Sequence, residues 1–235
     1  MSETLKLSKQ TTDILKNFAT INQSLIFNQG GENGTKIKTV SGAKNVFGTV
    51  TIPEIIPLSF AVYDLNAFLR SGEDLFENPV LSDFTKQSVT IKDENPKKRA
   101  RTKYNFTDAE NVSSSPAKDI KFPTVHTTFD LTDEDLKAVT KSANVLQLPH
   151  IGFVADGGEL QMKAFDYKQP NSNQYSLAVL DEGVEDFTAF MNVDSLKIIP
   201  GNYTVDISAK KIVRFTSKDL PGLLYYISLE ADSSF

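Results

Sequence analysis

Two histidines supply the only imidazoles in the chain: His126 lies in a Thr-rich stretch, and His150 directly follows Pro149. Neither stands at metal-ligand spacing from the other or from a carboxylate pair, so both read as packed side chains. The sequence has no cysteine, which removes thiolate nucleophiles, disulfides, Cys-containing zinc sites and iron–sulfur clusters. Two acidic pairs, Asp181-Glu182 and Glu185-Asp186, have the residue type for general acid/base work or calcium, but they bracket Gly183-Val184 as a turn would. A solvated acidic loop is the expectation. The glycines of Gln29–Gly34 lack the Lys-Ser/Thr ending of a phosphate loop and the helix that must follow a dinucleotide fingerprint. They read as a hairpin loop. No catalytic constellation, metal site or cofactor site emerges.

What remains is positive charge. The run Lys97-Lys98-Arg99-Ala100-Arg101-Thr102-Lys103 is the densest cationic cluster. Phosphate contact, a nuclear-localisation-like string and a charged hairpin tip after Asp93–Pro96 all fit it. A second, sparser set follows helical spacing: Lys9 and Lys16, Lys137 and Lys141, with Arg70 and Lys197 at the ends of two shorter helical patterns. Ordinary solvation, Lys9–Asp13 pairing and favourable cations at helix C-termini account for these equally well.

The elements that carry these cations sit in a strand-rich background. Apolar and polar residues alternate in 24–27, 35–40, 46–52, 58–62, 88–91, 151–155, 160–165, 175–180, 203–207, 212–215 and 223–229. Asn33-Gly34 and Asp156-Gly157-Gly158 suit hairpin turns, and Pro200-Gly201 suits a type II turn, so neighbouring strands are expected to run antiparallel. Four helices are predicted. Ser8 caps one over Lys9–Thr20, with Leu7, Thr11, Ile14, Leu15 and Phe18 on its apolar stripe. Thr132 opens a second, with Asp135 in a capping-box position, a Leu131–Leu136 staple, and Leu136, Val139 and Ala143 buried. Asp64 and Asn192 cap short helices over Leu65–Arg70 and Val193–Lys197.

Two halves repeat this order. Leu7-Ser8 and Leu131-Thr132 match as an apolar residue before a hydroxyl cap, and Asp64 matches Asn192 at nearly the same offset. Duplication explains that, and so does chance spacing of four helices in a β-rich chain. The reading is an α+β protein with two similar helix-plus-antiparallel-sheet domains, over 1–110 and 124–235, joined by a connector at 111–123. At its end, Ile120 and Phe122 either pin the connector to a sheet or wall a groove for a partner peptide. With 235 residues the chain can bury two cores of roughly 115 residues each without staples. Its formal charge of −5 excludes a uniformly basic nucleic-acid binder but allows positive charge gathered on one face. No apolar run approaches a membrane span, so the chain reads as soluble and cytoplasmic.

Several stretches resemble the DNA polymerase sliding clamp of T-even-type bacteriophages: Leu5–Asn22 (LKLSKQTTDILKNFATIN), Ala61–Leu69 (AVYDLNAFL), Pro200–Tyr203 (PGNY) and Ser228–Ser233 (SLEADS). Their order matches along the chain, while 28–57 and 72–121 are only loosely similar, and the basic string at Lys97–Lys103 departs from the family pattern. The resemblance implies a DNA clamp fold in a head-to-tail homotrimeric ring around duplex DNA, without enzymatic activity or cofactor, in the cytoplasm of an infected bacterium. It implies DNA contact by Lys9, Lys16, Arg70, Lys137, Lys141 and Lys197. It also implies docking of partner tails near Val112, Ile120, Phe122 and Leu229, and a DNA polymerase and an ATP-dependent clamp loader as partners. Composition alone equally fits a β-rich structural protein of a virion. A carboxylate-based hydrolase would need an acidic pair in a cleft, which nothing in the sequence locates.

Overall fold

A computed structural model describes residues 4–113, 119–181 and 183–235. The middle of the expected connector, 114–118, and Glu182 of the acidic loop lie outside the described residues. The chain divides into two units, Met1–Ala117 and Lys118–Phe235.

In the first unit, helix α1 (Lys9–Ile21) starts where Ser8 Oγ accepts the Thr11 N–H at 3.2 Å. Glu54 reinforces that start, accepting the Ser8 N–H at 2.6 Å and the Thr11 hydroxyl at 2.7 Å. Thr11, Ile14, Leu15 and Phe18 are buried, as the 3.6-residue period requires. Four strands follow: β1 (Leu25–Phe27), β2 (Thr35–Val40), β3 (Val46–Ile52) and β4 (Phe60–Val62). Strand β1 pairs with β4 and β2 with β3, both antiparallel. Asp64 then caps α2 (Leu65–Glu73), accepting the Ala67 N–H at 2.9 Å. Strands β5 (Pro79–Ser82), β6 (Ser88–Asp93) and β7 (Arg101–Asn105) form an antiparallel sheet in that order. Stacked rings give this unit much of its core: Phe60 lies 4.7 Å from Phe27 and 4.3 Å from Phe106, and Phe68 of α2 meets Tyr104 edge-on at 5.0 Å.

The second unit begins with β8 (Thr127–Leu131) and helix α3 (Asp133–Leu146). Thr132 Oγ1 accepts the Asp135 N–H at 3.1 Å and donates to the Asp135 carboxylate, and the buried stripe is Leu136, Val139 and Ala143. Strands β9 (His150–Asp156), β10 (Glu159–Phe165), β11 (Tyr175–Leu180) and β12 (Phe187–Asn192) make a sheet in the order β11-β10-β9-β12. After a single 3-10 turn over Val193–Ser195 come β13 (Tyr203–Ser208), β14 (Ile212–Ser217) and β15 (Leu224–Ser228), which pair consecutively, with β8 on the far side of β13.

The two units therefore share one order: long helix, four strands, short helical segment, three strands. Smaller features repeat too. Thr107 bridges Ala61 on β4 and Ser234 bridges Thr188 on β12, closing each unit the same way. Leu5 bridges Leu81 on β5, in the place that β8 takes beside β13.

The structure differs from the sequence reading at three places. Strands β5, β7, β8 and β12 were not anticipated, and β7 takes up Arg101–Lys103, leaving residues 97–100 as the hairpin tip. The Asn192 cap forms, its side chain accepting the Asp194 N–H at 2.9 Å, but the helix stops after one turn because Leu196 leaves helical geometry at ψ 60°. Lys197 is thus not on a helix. Gly201 is not in the left-handed region that a type II turn demands. Its lack of a side chain instead admits Asp219, whose Oδ2 would lie 2.8 Å from a Cβ there and accepts the Asn202 N–H at 2.6 Å.

Candidate nucleic-acid interface

The six cations singled out by helical spacing fall three to a unit. Lys9 and Lys16 stand on the exposed side of α1, seven positions apart and so on one face. Lys9 pairs with Asp13 at 2.5 Å, one turn along. Lys16 reaches Glu73 of α2 at 2.8 Å, and that hydrogen-bonded partner holds its pKa above the ordinary lysine value. Arg70 Nε bonds Asp74 at 3.0 Å on the same helix. In the second unit Lys137 pairs with Asp133, whereas Lys141 is exposed and forms no ion pair among the described residues. Lys197 is half-buried beyond the 3-10 turn.

Lys137 and Lys141 share a groove of about 490 Å³ with Leu136, Thr140, Leu196 and Ile198. Its origin is the shortened helix. In the first unit α2 runs nine residues and packs beside α1, leaving a crevice of about 50 Å³ near Phe68 and Gly72. One 3-10 turn cannot cover α3 in that way, and Val145 is left 70% exposed. The far wall is fixed by Tyr203, whose hydroxyl donates to the Ile199 carbonyl at 2.5 Å.

Of the carboxylates that engage these cations, the sequence reading named Asp13 and passed over Glu73, Asp74 and Asp133. Arg70/Asp74 and Asp133/Lys137 stand at the i, i+4 spacing that signals such pairs. Glu73, opposite Lys16, had no local signal, because the pairing depends on how α1 and α2 pack.

Among the expected partner-docking residues, Val112 belongs to the first unit and the other three to the second. Val112 and Leu229 are buried, while Ile120 and Phe122 are half-buried. Phe122 lies against Tyr226 at 6.2 Å with the Arg214 guanidinium 4.7 Å above its ring, and Asp206 holds Arg214 in place through bonds of 2.7 and 3.0 Å. That geometry pins the end of the connector to the β13–β15 strands.

The remaining candidates have structural employment. His126 packs edge-on against Phe187 and Phe235, with Nδ1 2.9 Å from the Thr127 hydroxyl. His150 packs edge-on against Phe190, and its Nδ1 accepts the Tyr167 N–H at 3.3 Å. Asp186 accepts the Gly157 N–H at 3.0 Å, tying the acidic segment to the β9–β10 hairpin. Among the described residues no cluster of His, Asp and Glu has metal-binding geometry, and no helix is long and apolar enough to cross a membrane.

Comparison with known proteins places this geometry. The family model described as the gp45 sliding clamp, C terminal, matches residues 128–231. The sliding clamp of Vibrio phage KVP40 is 30% identical over 233 residues, covering 97% of this chain and 100% of that one. The sliding clamp of Escherichia phage RB69 is 29% identical over 237 residues, covering 98% and 99%. Among solved structures, A. fulgidus PCNA bound to the C-terminal region of FEN-1 superposes with a TM-score of 0.73 at 12% identity, covering 99% of this chain and 100% of that chain. PCNA from Thermococcus kodakaraensis gives 0.68 at 14% identity, covering 97% and 99%. The fold is that of the DNA clamps, two similar helix-plus-antiparallel-sheet domains in one chain, and the composition-based alternative of a virion structural protein finds no support. By its near-full-length similarity to the KVP40 protein, the chain belongs to the phage sliding clamp family.

Proposed function

We propose that three copies close head to tail into a ring around duplex DNA and tether the phage DNA polymerase to its template, a processivity role without catalysis. The observation that carries this reading is the match to phage sliding clamps along nearly the whole chain, together with a duplicated unit whose long helices each expose cations. The working division is an N-terminal clamp domain over 1–110, a connector over 111–123 and a C-terminal clamp domain over 124–235. The break between the two compact units at Ala117 and Lys118 falls inside that connector.

Lys9, Lys16, Arg70, Lys137, Lys141 and Lys197 are the proposed DNA contacts. A ring that must hold DNA and still move along it should touch phosphates, which recur irrespective of sequence, and avoid base edges. Lysine suits this: its ammonium is a mobile point charge, whereas a bidentate guanidinium fixes register. The carboxylates beside these cations are consistent with a loose grip. An exposed ion pair contributes only about 0.2–1 kcal/mol, so the ammonium transfers readily to a passing phosphate and returns. Retention then follows from closure of the ring, and the acidic remainder of the surface repels DNA elsewhere. Partner tails are assigned to the connector region, near Val112, Ile120, Phe122 and Leu229. An ATP-dependent clamp loader supplies the work of opening in the host cytoplasm.

Charge reversal tests the assignment. Lys9→Glu combined with Lys137→Glu is expected to leave the assembled mass unchanged while lowering polymerase stimulation at least about threefold, through lost phosphate attraction. Unchanged stimulation removes these helices from the DNA-facing surface.

A further inference from the structure

The end of the connector is held in two different ways on either side of Pro123. From Thr124 onward the chain is fixed through main-chain groups: the Thr124 carbonyl accepts the Ser208 hydroxyl at 2.7 Å, and the His126 N–H donates to the Ile207 carbonyl at 2.7 Å. Before that point, Ile120, Lys121 and Phe122 make no hydrogen bond among the described residues, and Pro123 has no N–H to give. Lys121 is exposed, while Ile120 and Phe122 are half-buried. The contact that ties this stretch down is the Phe122 ring, laid against Tyr226 at 6.2 Å and beneath the Arg214 guanidinium at 4.7 Å.

Arg214 is itself held rigidly. Asp206 faces it in the β13–β14 register, and one carboxylate oxygen, Oδ2, accepts both Nε and Nη2 of Arg214, at 3.0 and 2.7 Å. The other oxygen accepts the hydroxyl of Thr128 at 2.7 Å, and Thr128 is the partner of Asp206 across to β8. Tyr226 is the partner of Arg214 on β15. One cross-strand row, Thr128–Asp206–Arg214–Tyr226, therefore spans four strands and ends under Phe122. As a source of stability such a row is poor. Asp206 is only 6% exposed, and removing a carboxylate and a guanidinium from water costs about as much as their attraction returns. An apolar pair would join the strands as well. What the ionic row adds is a planar guanidinium fixed in position and tilt over a single ring, which neither an apolar side chain nor the point charge of a lysine supplies.

We propose that Arg214 is a positioning residue for partner binding: oriented by Asp206 and Thr128, it holds Phe122 on the sheet and so fixes the path by which the connector leaves it. This rests on the assignment of partner tails to the connector region and adds the residues that keep that region in its docking shape. A wall already in place spares the partner the entropy of ordering it. Once loosened, the connector is competent for docking during only a fraction of the time, and apparent affinity falls by that fraction. A ring that instead covered the docking site would give the opposite sign, with tighter binding after its removal.

Two measurements on the full chain test it. Trypsin cleavage after the exposed Lys121 reports how firmly the connector is attached, and titration of the phage DNA polymerase onto protein loaded on primed DNA separates partner affinity from the maximal extension rate. Phe122→Leu leaves the ion pair intact; it is expected to speed cleavage and to raise the half-saturating polymerase concentration, each at least about threefold, with the maximal rate and the assembled mass unchanged. Phe122→Tyr keeps the ring face and should stay within about twofold of wild type in both readouts. Asp206→Asn combined with Arg214→Gln removes both charges together, so that neither is left buried alone, and should reproduce the Phe122→Leu result. Circular dichroism and urea unfolding check that each variant folds. Unchanged cleavage overturns the anchoring of the connector by Phe122. Faster cleavage with unchanged polymerase affinity makes the row a purely structural fixture and overturns the positioning role. Tighter polymerase binding by Phe122→Leu makes the ring a plug and overturns it as well. Polymerase binding indifferent to Ile120→Asp contradicts docking at the connector itself and removes this proposal with it, whereas wild-type protein that never stimulates the polymerase contradicts the processivity role.

Discussion

Among single residues, carboxylates decide most of the local chemistry. Glu54 shows this most directly. Burial works against its charge, but the Ser8 N–H and the Thr11 hydroxyl outweigh that and hold its carboxyl below the ordinary glutamate range. A depressed folded-state pKa means that its contribution is present above the unfolded value, near 4.5, and is lost as pH falls through the lower folded value. Glu54→Gln should therefore lower stability by about 1–2 kcal/mol at neutral pH. The gap from wild type should close as the pH drops below the glutamate range, which urea unfolding at several pH values will measure. A gap that persists unchanged at low pH would assign the effect to packing instead of charge. The helix cations obey a related logic: Lys9, Lys16, Arg70 and Lys137 each sit beside a carboxylate that would have to yield before a phosphate could be engaged.

Helices and strands differ in how much of them could be read in advance. Helix α3 ends in a left-handed Gln147 at φ 52°, with the Leu148 N–H bonded to the Ala143 carbonyl at 2.9 Å and the Leu148 side chain buried. Glycine is the residue that adopts this conformation without strain, so Gln147→Gly is expected to stabilise the protein by about 0.5–1 kcal/mol in thermal or urea unfolding. Destabilisation would mean that the Gln147 side chain does something the cap geometry does not require. Caps were the most legible features in the sequence. Ser8, Asp64, Thr132 and Asn192 all act as N-caps because a side-chain oxygen three or fewer residues before a free N–H is a local signal. Strands β2, β3 and β11 were legible to the residue through their alternation. Strand β7 was hidden because arginine and lysine at every second position look like a solvated loop until β6 supplies the partner ladder. The 3-10 turn and Lys197 were misplaced because a cap reports where a helix starts and not how far tertiary packing lets it run. The six cations were all visible as residues. Which carboxylate faces each depended, for Lys16, on the packing of two helices distant in sequence.

For the molecule as a whole, an acidic chain is proposed to hold an acidic polymer. The formal charge of −5 favours that only if cations are gathered where DNA passes and carboxylates lie elsewhere, so that repulsion outside guides DNA to the hole. Which edges would close the proposed ring is not legible in the sequence, because edge status is a property of the finished sheets. Grip by mobile charges on closed topology predicts a lifetime on DNA set by the ends of the DNA and not by affinity. The most direct measurement is to load the protein with its clamp loader on nicked circular duplex and then cut the circle once. Encirclement predicts that the protein persists on the circle and is lost on cutting, with loss prevented when both new ends are blocked. Equal lifetimes on circular and cut DNA would contradict it.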